Sequence, residues 1–252
     1  MYLEILKRIG AKPNFWTSRE YFEKANWRET SFLQWYWIED DTGQVMLPPV
    51  HSYSRDLSTC LPMGVGSVWS DFEGYSPSNS SCEFLDWEFI YHRPWFLEMK
   101  GKTWMKFRKN SRKWPRNRTK LRYSEAMPRA GELERVAIEW LEGFMGQKLY
   151  DPRVIAKYIF HGEHRKFLYE NDRLVGANIW DKNHMYDNYR LCVHVKEPFL
   201  DEFLRFLMMT DQFQHTLQVN DGGSLDSEGL RRFKESLNPI RMRPVFSWKL
   251  KS

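Results

Sequence analysis

The 252-residue chain has no apolar run near the ~20 residues that a membrane-spanning helix needs. The longest candidate, FLRFLMM at Phe203–Met209, is short and holds Arg205. The opening residues MYLEILKRIG carry Glu4, Lys7 and Arg8, so no secretion signal is expected. The three cysteines, Cys60, Cys82 and Cys192, are odd in number and far apart. That argues against a disulfide framework and for a reducing compartment. A soluble, cytoplasmic protein is expected. No segment repeats at a short fixed period, which excludes a solenoid. GVGSVW at Gly64–Trp69 lacks the third glycine of a dinucleotide fingerprint, and neither a nucleophile elbow nor a phosphate loop is present. His161 and His164 stand three apart without a set of Cys or carboxylates to complete a site, so no metal is expected.

One absence is local. From Lys100 to Arg122 (KGKTWMKFRKNSRKWPRNRTKLR) there is no Asp or Glu, yet eleven of the 38 Lys and Arg lie there. Removing those eleven leaves 27 basic against 33 acidic residues, so the formal charge of +5 is one cationic segment on an acidic body. A dense cationic segment implies a polyanionic partner. Its charges would repel one another along a helix unless anions neutralised them. Trp104 and Trp114 interrupt the run and suit either base stacking or core packing. Nucleic-acid contact through Lys100, Lys102, Lys106, Arg108, Lys109, Arg112 and Lys113 is the expectation. The alternative is a solvated helix face that aids solubility.

Aromatic residues are abundant: 12 Trp, 12 Tyr and 17 Phe, most of which must fill a core. In the first half, Phe32–Glu39 is predicted as a strand, Asp40–Gly43 as a turn and Gln44–Val50 as the returning strand. Trp35 and Trp37 would share one face of it. Ser52–Ser81 is rich in Ser, Gly and Pro and is predicted as a long loop, followed by a strand over Glu83–His92. Pro94 begins a helix that Gly101 ends, and Lys102–Trp114 is a second helix stopped by Pro115. In the second half, Glu132–Met145 has apolar residues at helical spacing, and Asp151-Pro152 opens a helix to His161. Strands are predicted over Lys166–Glu170, Arg173–Trp180, Tyr189–Val195, Thr216–Val219 and Pro244–Leu250, with helices over Asp201–His215 and Ser227–Ser236. Helices beside a hairpin-rich sheet make an α+β protein.

Three motifs in order carry a resemblance. The first is Tyr91, Leu97, Lys100-Gly101-Lys102 and the basic run Arg108–Trp114; the second is the strand RLVGANIW; the third is Asn220, Leu225, Gly229-Leu230-Arg231, Lys234, Ser236 and Pro239. Together they resemble the C-terminal domain of phosphatidylglycerol lysyltransferases, a Fem-like branch of the GNAT superfamily. The resemblance spans roughly Phe32 to Lys249. It implies a tandem GNAT-like fold (acyl-CoA N-acyltransferase-like), mixed sheets flanked by helices. Residues 1–125 would form a degenerate first half carrying the basic segment 100–122, and residues 126–252 the C-terminal half. It also implies transfer of an aminoacyl group from aminoacyl-tRNA to an amine or hydroxyl, with no metal or redox cofactor. Two departures stand out. Gly223 and Ser224 occupy positions that are acidic in the family, and the family's membrane half is missing, so a lipid acceptor is not implied.

Aminoacyl transfer from an ester asks for deprotonation of the acceptor and stabilisation of an oxyanion. Asp221 or Asp226, beside Asn220, are the expected acceptor-orienting or base residues, with Arg231 and Lys234 as cationic partners for a tRNA 3′-end phosphate or the oxyanion. Arg231 and Lys234 also fit exposed helix charges, and Asp226 fits a helix N-cap. Acyl-CoA ranks behind aminoacyl-tRNA as donor. A coenzyme A enzyme holds pyrophosphate on a glycine-rich turn at a helix N-terminus. The corresponding turn Lys196–Glu202 has no glycine, while Pro198 removes a donor and Asp201 and Glu202 repel phosphate. Two further functions remain open on the same fold: acylation of a modified base in nucleic acid, and non-catalytic nucleic-acid binding.

Overall fold

A computed structural model describes residues 1–9, 19–32, 34–42, 45–51, 67–70, 80–129, 131–143, 151–182, 187–213, 216–224 and 227–250. The first part is built from helices α1 (Tyr2–Arg8) and α2 (Arg19–Lys24) and an antiparallel sheet of β1 (Arg28–Phe32), β2 (Trp35–Glu39) and β3 (Val45–His51). Tyr2, Ile5, Leu6, Ile38, Leu47 and Val50 are buried between them as a small separate core. The strand expected over Phe32–Glu39 begins later, as β2, and Phe32 instead closes the preceding strand β1. Gln34 adopts φ 68° and turns the chain, pairing Phe32 with Trp35. Trp35 and Trp37 are only partly buried, and Trp37 donates from Nε1 to Glu39 at 2.9 Å.

The large sheet has eight strands in the order β4-β11-β5-β10-β9-β8-β7-β6. These are β4 (Ser67–Ser70), β5 (Ser80–His92), β6 (Leu121–Ser124), β7 (His164–Glu170), β8 (Arg173–Lys182), β9 (Asp187–His194), β10 (Gln218–Asn220) and β11 (Arg241–Leu250). β4 lies inside the stretch expected to be a loop, and β5 begins at its end; residues 52–66 and 71–79 of that stretch lie outside the described residues. Helices α5 (Glu132–Glu142) and α6 (Pro152–His161) follow β6, α7 (Leu200–Leu207) follows β9, and α8 (Glu228–Ser236) follows β10. From α5 onward, the order two helices, three strands, helix, strand, helix, strand is the one the sequence implied, whereas β6 before it was not expected.

Local chemistry sets these elements. Asp151 accepts from the Arg153 N–H and Pro152 opens α6, as the Asp-Pro pair predicts. Asn171 and Asp172 both have positive φ, 48° and 63°, the two-residue turn that joins β7 to β8. α7 is shorter than expected because a π-helical turn over Met208–Gln212 takes over its C-terminal end. Helix α5 closes at Gly143.

β9 and β10 are parallel and pair only at Val219–Asp187 and Asn220–Asn188. β9 then runs on to His194, whereas β10 ends at Asn220. β5, from the first half of the sequence, lies between β10 and β11 and is antiparallel to both. Its Phe89 and Tyr91 enter the main core with Phe96, Trp104, Phe107 and Trp114.

Candidate nucleic-acid interface

Helix α3 (Arg93–Glu98) starts at the proline as expected and ends at Met99, which takes the left-handed conformation; Gly101, at φ 83°, follows in the turn. Helix α4 spans Met105–Ser111, shorter than the expected Lys102–Trp114, and a 3-10 turn continues it over Pro115–Asn117. The stripe Trp104, Phe107, Asn110, Ser111 and Trp114 is buried, at the spacing of one helix face. Both tryptophans are therefore core residues. Trp104 meets Phe96 edge-on at 4.7 Å, and Trp114 stacks on Phe203 at 5.2 Å. Of the two roles the sequence left open for them, core packing is the one observed: their rings face inward because the apolar stripe of α4 has α7 to pack against.

The inward edge of the segment is tied to acids. Trp114 Nε1 donates to Glu197 at 2.7 Å, Arg118 bridges Glu170 (2.5 Å) and Glu197 (2.6 Å), and Asn110 donates to Glu202 at 3.0 Å. Lys113 Nζ sits 4.2 Å over the Phe199 ring. The basic segment thus contacts Glu197 and Phe199 in the turn before α7 and engages Glu202 in its first turn, while Lys196 and Pro198 stay exposed.

The outward face carries the remaining charge. Lys106, Lys109, Arg112, Lys113 and Arg116 are exposed, and among the described residues none of them has an acidic partner. Arg108 is half-buried and donates to the Met99 carbonyl. A groove of about 370 Å³ is lined by Met105, Arg108, Lys109, Arg112, Lys113 and Arg116. Lys100 pairs with Glu98 at 3.2 Å and Lys102 is exposed in the turn before α4; neither lines the groove.

The terminal motif lies elsewhere, at the end of β10 and along α8. Asp221 is 5% exposed. Its carboxylate accepts from Arg205 and lies 3.3 Å from Lys234 Nζ. Lys234 also donates to the carbonyls of Asp221 and Gly223. Arg205 reaches Asp201 at 3.1 Å, so one guanidinium holds two carboxylates. Burial disfavours the Arg205 charge, but Asp201 and Asp221 outweigh it and raise its pKa well above the ordinary value. Burial lowers that of Lys234, with Asp221 opposing. For Asp201, burial acts to raise the pKa, but Arg205 and His194 together bring it below the ordinary value.

Asn220 is fully buried and donates to Glu88 at 2.8 Å, and Glu88 pairs with Arg243 at 2.6 Å. Asp86 accepts from the N–H of Ser224 (2.5 Å) and from its hydroxyl (2.7 Å). Asp226 and Leu225 lie outside the described residues. The N-cap of α8 is Ser227, whose hydroxyl accepts from Leu230 N–H, rather than Asp226. The structure separates the two α8 cations: Arg231 is exposed and pairs with Glu235 at 2.9 Å, whereas Lys234 points inward.

Sequence reasoning missed Arg205, Glu88 and Arg243. Arg205 had a signal: it is the one charge in FLRFLMM, four residues after Asp201. Glu88 and Arg243 had none, because their pairing needs β5 and β11 to be neighbours. Among the described residues no group of three or more His, Cys, Asp or Glu could hold a metal.

No family model matches the chain, and no curated protein matches it. Solved structures do. A conserved protein of unknown function from Bacteroides thetaiotaomicron is 14% identical, with a TM-score of 0.70 over 94% of this chain and 90% of that one. The C-terminal domain of a putative lysylphosphatidylglycerol synthetase from Agrobacterium fabrum is 13% identical, with a TM-score of 0.66 over 99% of this chain and 91% of that one. L-PGS from Bacillus licheniformis is 16% identical, with a TM-score of 0.65 over 100% of this chain and 91% of that one. The chain therefore shares the α+β fold of the C-terminal domain of a putative lysylphosphatidylglycerol synthetase and of L-PGS, the fold that its three motifs led one to expect.

Proposed function

We propose that the protein is a transferase that moves an aminoacyl group from aminoacyl-tRNA to an amine or hydroxyl acceptor. One observation carries this reading: the basic segment sits over the N-terminal end of α7, acids engaged inward, and turns a groove of unpaired cations outward. In a GNAT-type fold that helix end is where the pyrophosphate of coenzyme A would bind. Here Glu197 and Phe199 are taken up by the basic segment, Pro198 offers no N–H, and Glu202, bonded among the described residues only to the neutral Asn110 amide, would repel a phosphate. A donor carried on a polyanion, held outside by the groove, fits these residues better than acyl-CoA does. No cofactor is needed.

In the reaction, an acceptor amine attacks the ester carbonyl of the aminoacyl group. The new C–N bond forms, the C–O bond to the tRNA ribose breaks, and the proton lost by the amine ends on the departing hydroxyl. An activated ester asks little of a base, so orientation dominates the barrier. In this reading Asp221, enclosed by Arg205 and Lys234, acts by positioning: it fixes the end of β10 from which Asn220 and the loop to α8 depart. Arg231, on the exposed side of α8, is the cation of the motif that a phosphate can reach.

Incubation with a pool of charged tRNAs and amine or hydroxyl acceptors tests the proposal. Expected are preferential binding of charged tRNA over the uncharged pool and acceptor-dependent deacylation. Equal binding together with no deacylation under any acceptor overturns it. Activity with acetyl-CoA in place of charged tRNA overturns it equally.

A further inference from the structure

Arg108, Arg112 and Arg116 are spaced by four in the sequence, and Met105, Lys109 and Lys113 form a second such row. Helix α4 covers Met105–Ser111 with Arg112 as its cap, and Arg116 sits in the 3-10 turn, so both rows run past the end of the helix. Four helical residues rise ~6 Å, about the spacing of successive phosphates along one strand, and the pairs Arg108–Arg112 and Met105–Lys109 keep that interval. All six lining residues are cationic or aliphatic, and none is aromatic. The aromatic residues of the segment, Trp104, Phe107 and Trp114, are buried on the other face. Surfaces that hold single strands add aromatic platforms on which unstacked bases rest. A surface that offers cations alone gains nothing from exposed bases. It gains most from phosphates already arrayed at fixed intervals by a double helix, because no strand has to be ordered on binding. The bases of an A-form duplex lie in a deep, narrow major groove that side chains cannot read, so these cations would meet phosphates and not base edges.

From this, and resting on the polyanion reading above, we infer that the α4 groove binds one phosphodiester strand of duplex RNA and is blind to its sequence. Any choice among charged tRNAs is then made at the aminoacyl end and not along this face. Met105, 59% exposed at the start of the second row, marks the end of the cation track.

Fluorescence anisotropy with RNA duplexes of about 12 base pairs, a little over one helical turn, tests this. Two duplexes of unrelated sequence and their four separated strands are compared over a range of salt. The duplexes are expected to bind within about twofold of each other and at least tenfold tighter than the strands, with log K falling against log salt at a slope near −4, for about five neutralised phosphates. Arg112→Gln should make the slope shallower by about one, while Arg232→Gln on α8 leaves it unchanged. Near-UV circular dichroism checks that both variants are folded. Strands that bind as tightly as the duplexes, or duplexes that differ tenfold, overturn the inference and leave the polyanion reading standing. Binding of neither duplex nor strand overturns both.

Discussion

Trp114 shows how a side chain can separate two roles within one segment. Its ring stacks on Phe203 and its Nε1 holds Glu197, while the adjacent Lys113 faces out over Phe199. Trp114→Ala should destabilise the protein by about 3–5 kcal/mol, the usual cost of emptying a large aromatic site, and urea melts would measure it. Lys109→Ala, on the exposed face, should change stability by less than about 0.5 kcal/mol. Asp201 supplies a pH dependence. Its folded pKa lies below the ordinary 3.8, so its contribution is fully present above that value and is lost as pH falls through the lower folded one. Asp201→Asn should flatten the stability profile in that acid window and leave Arg205 with Asp221 alone. Removing Arg205 itself leaves the buried Asp221 with Lys234 alone and the half-buried Asp201 with His194, and Arg205→Ala should cost about 3 kcal/mol. At this scale the sequence was informative where a charge broke a pattern, as Arg205 does within FLRFLMM. It was silent on which way a tryptophan faces, since both packing and stacking use the same ring.

At the scale of elements, the order after residue 130 was readable because each helix and hairpin carries its own signal: the apolar spacing of α5, the Asp-Pro start of α6, and the turn at Asn171-Asp172. Short strands without such a signal were missed. β6 has four residues and owes its existence to its pairing with β7. The Gln34 turn inside FLQWYWIE has no Gly or Pro to announce it. Close approach fixes the loop after β10. A Cβ on Gly223 would lie 2.3 Å from Asp86 Oδ2, a carboxylate already held by both the N–H and the hydroxyl of Ser224. Gly223→Ala should therefore cost about 1–3 kcal/mol and loosen this loop, seen as faster amide exchange at Ser224. This also gives a physical reason for one departure from the family pattern: an acidic side chain at residue 223 would meet Asp86 head-on.

For the molecule as a whole, β5 joins what the sequence suggested were two halves. It pairs with β11 along ten positions and with β10 along three, and its Glu88 neutralises Arg243 and holds Asn220. A fragment of residues 126–252 would leave β10 and β11 without the strand between them. It should fail to give a cooperative thermal transition, whereas residues 80–252 should retain one. No helix among the described residues is long and apolar enough to cross a membrane. What the whole sheet provides is a rigid base on which α7 carries the basic segment, cations outward. The most direct measurement is the salt dependence of charged-tRNA binding by the wild type and by a variant with Lys109, Arg112, Lys113 and Arg116 all changed to alanine. A groove that carries the donor predicts a wild-type slope of about −4 that becomes shallower by three or more in the variant, with tRNA-dependent transfer lost alongside. An unchanged slope and unchanged transfer would contradict it.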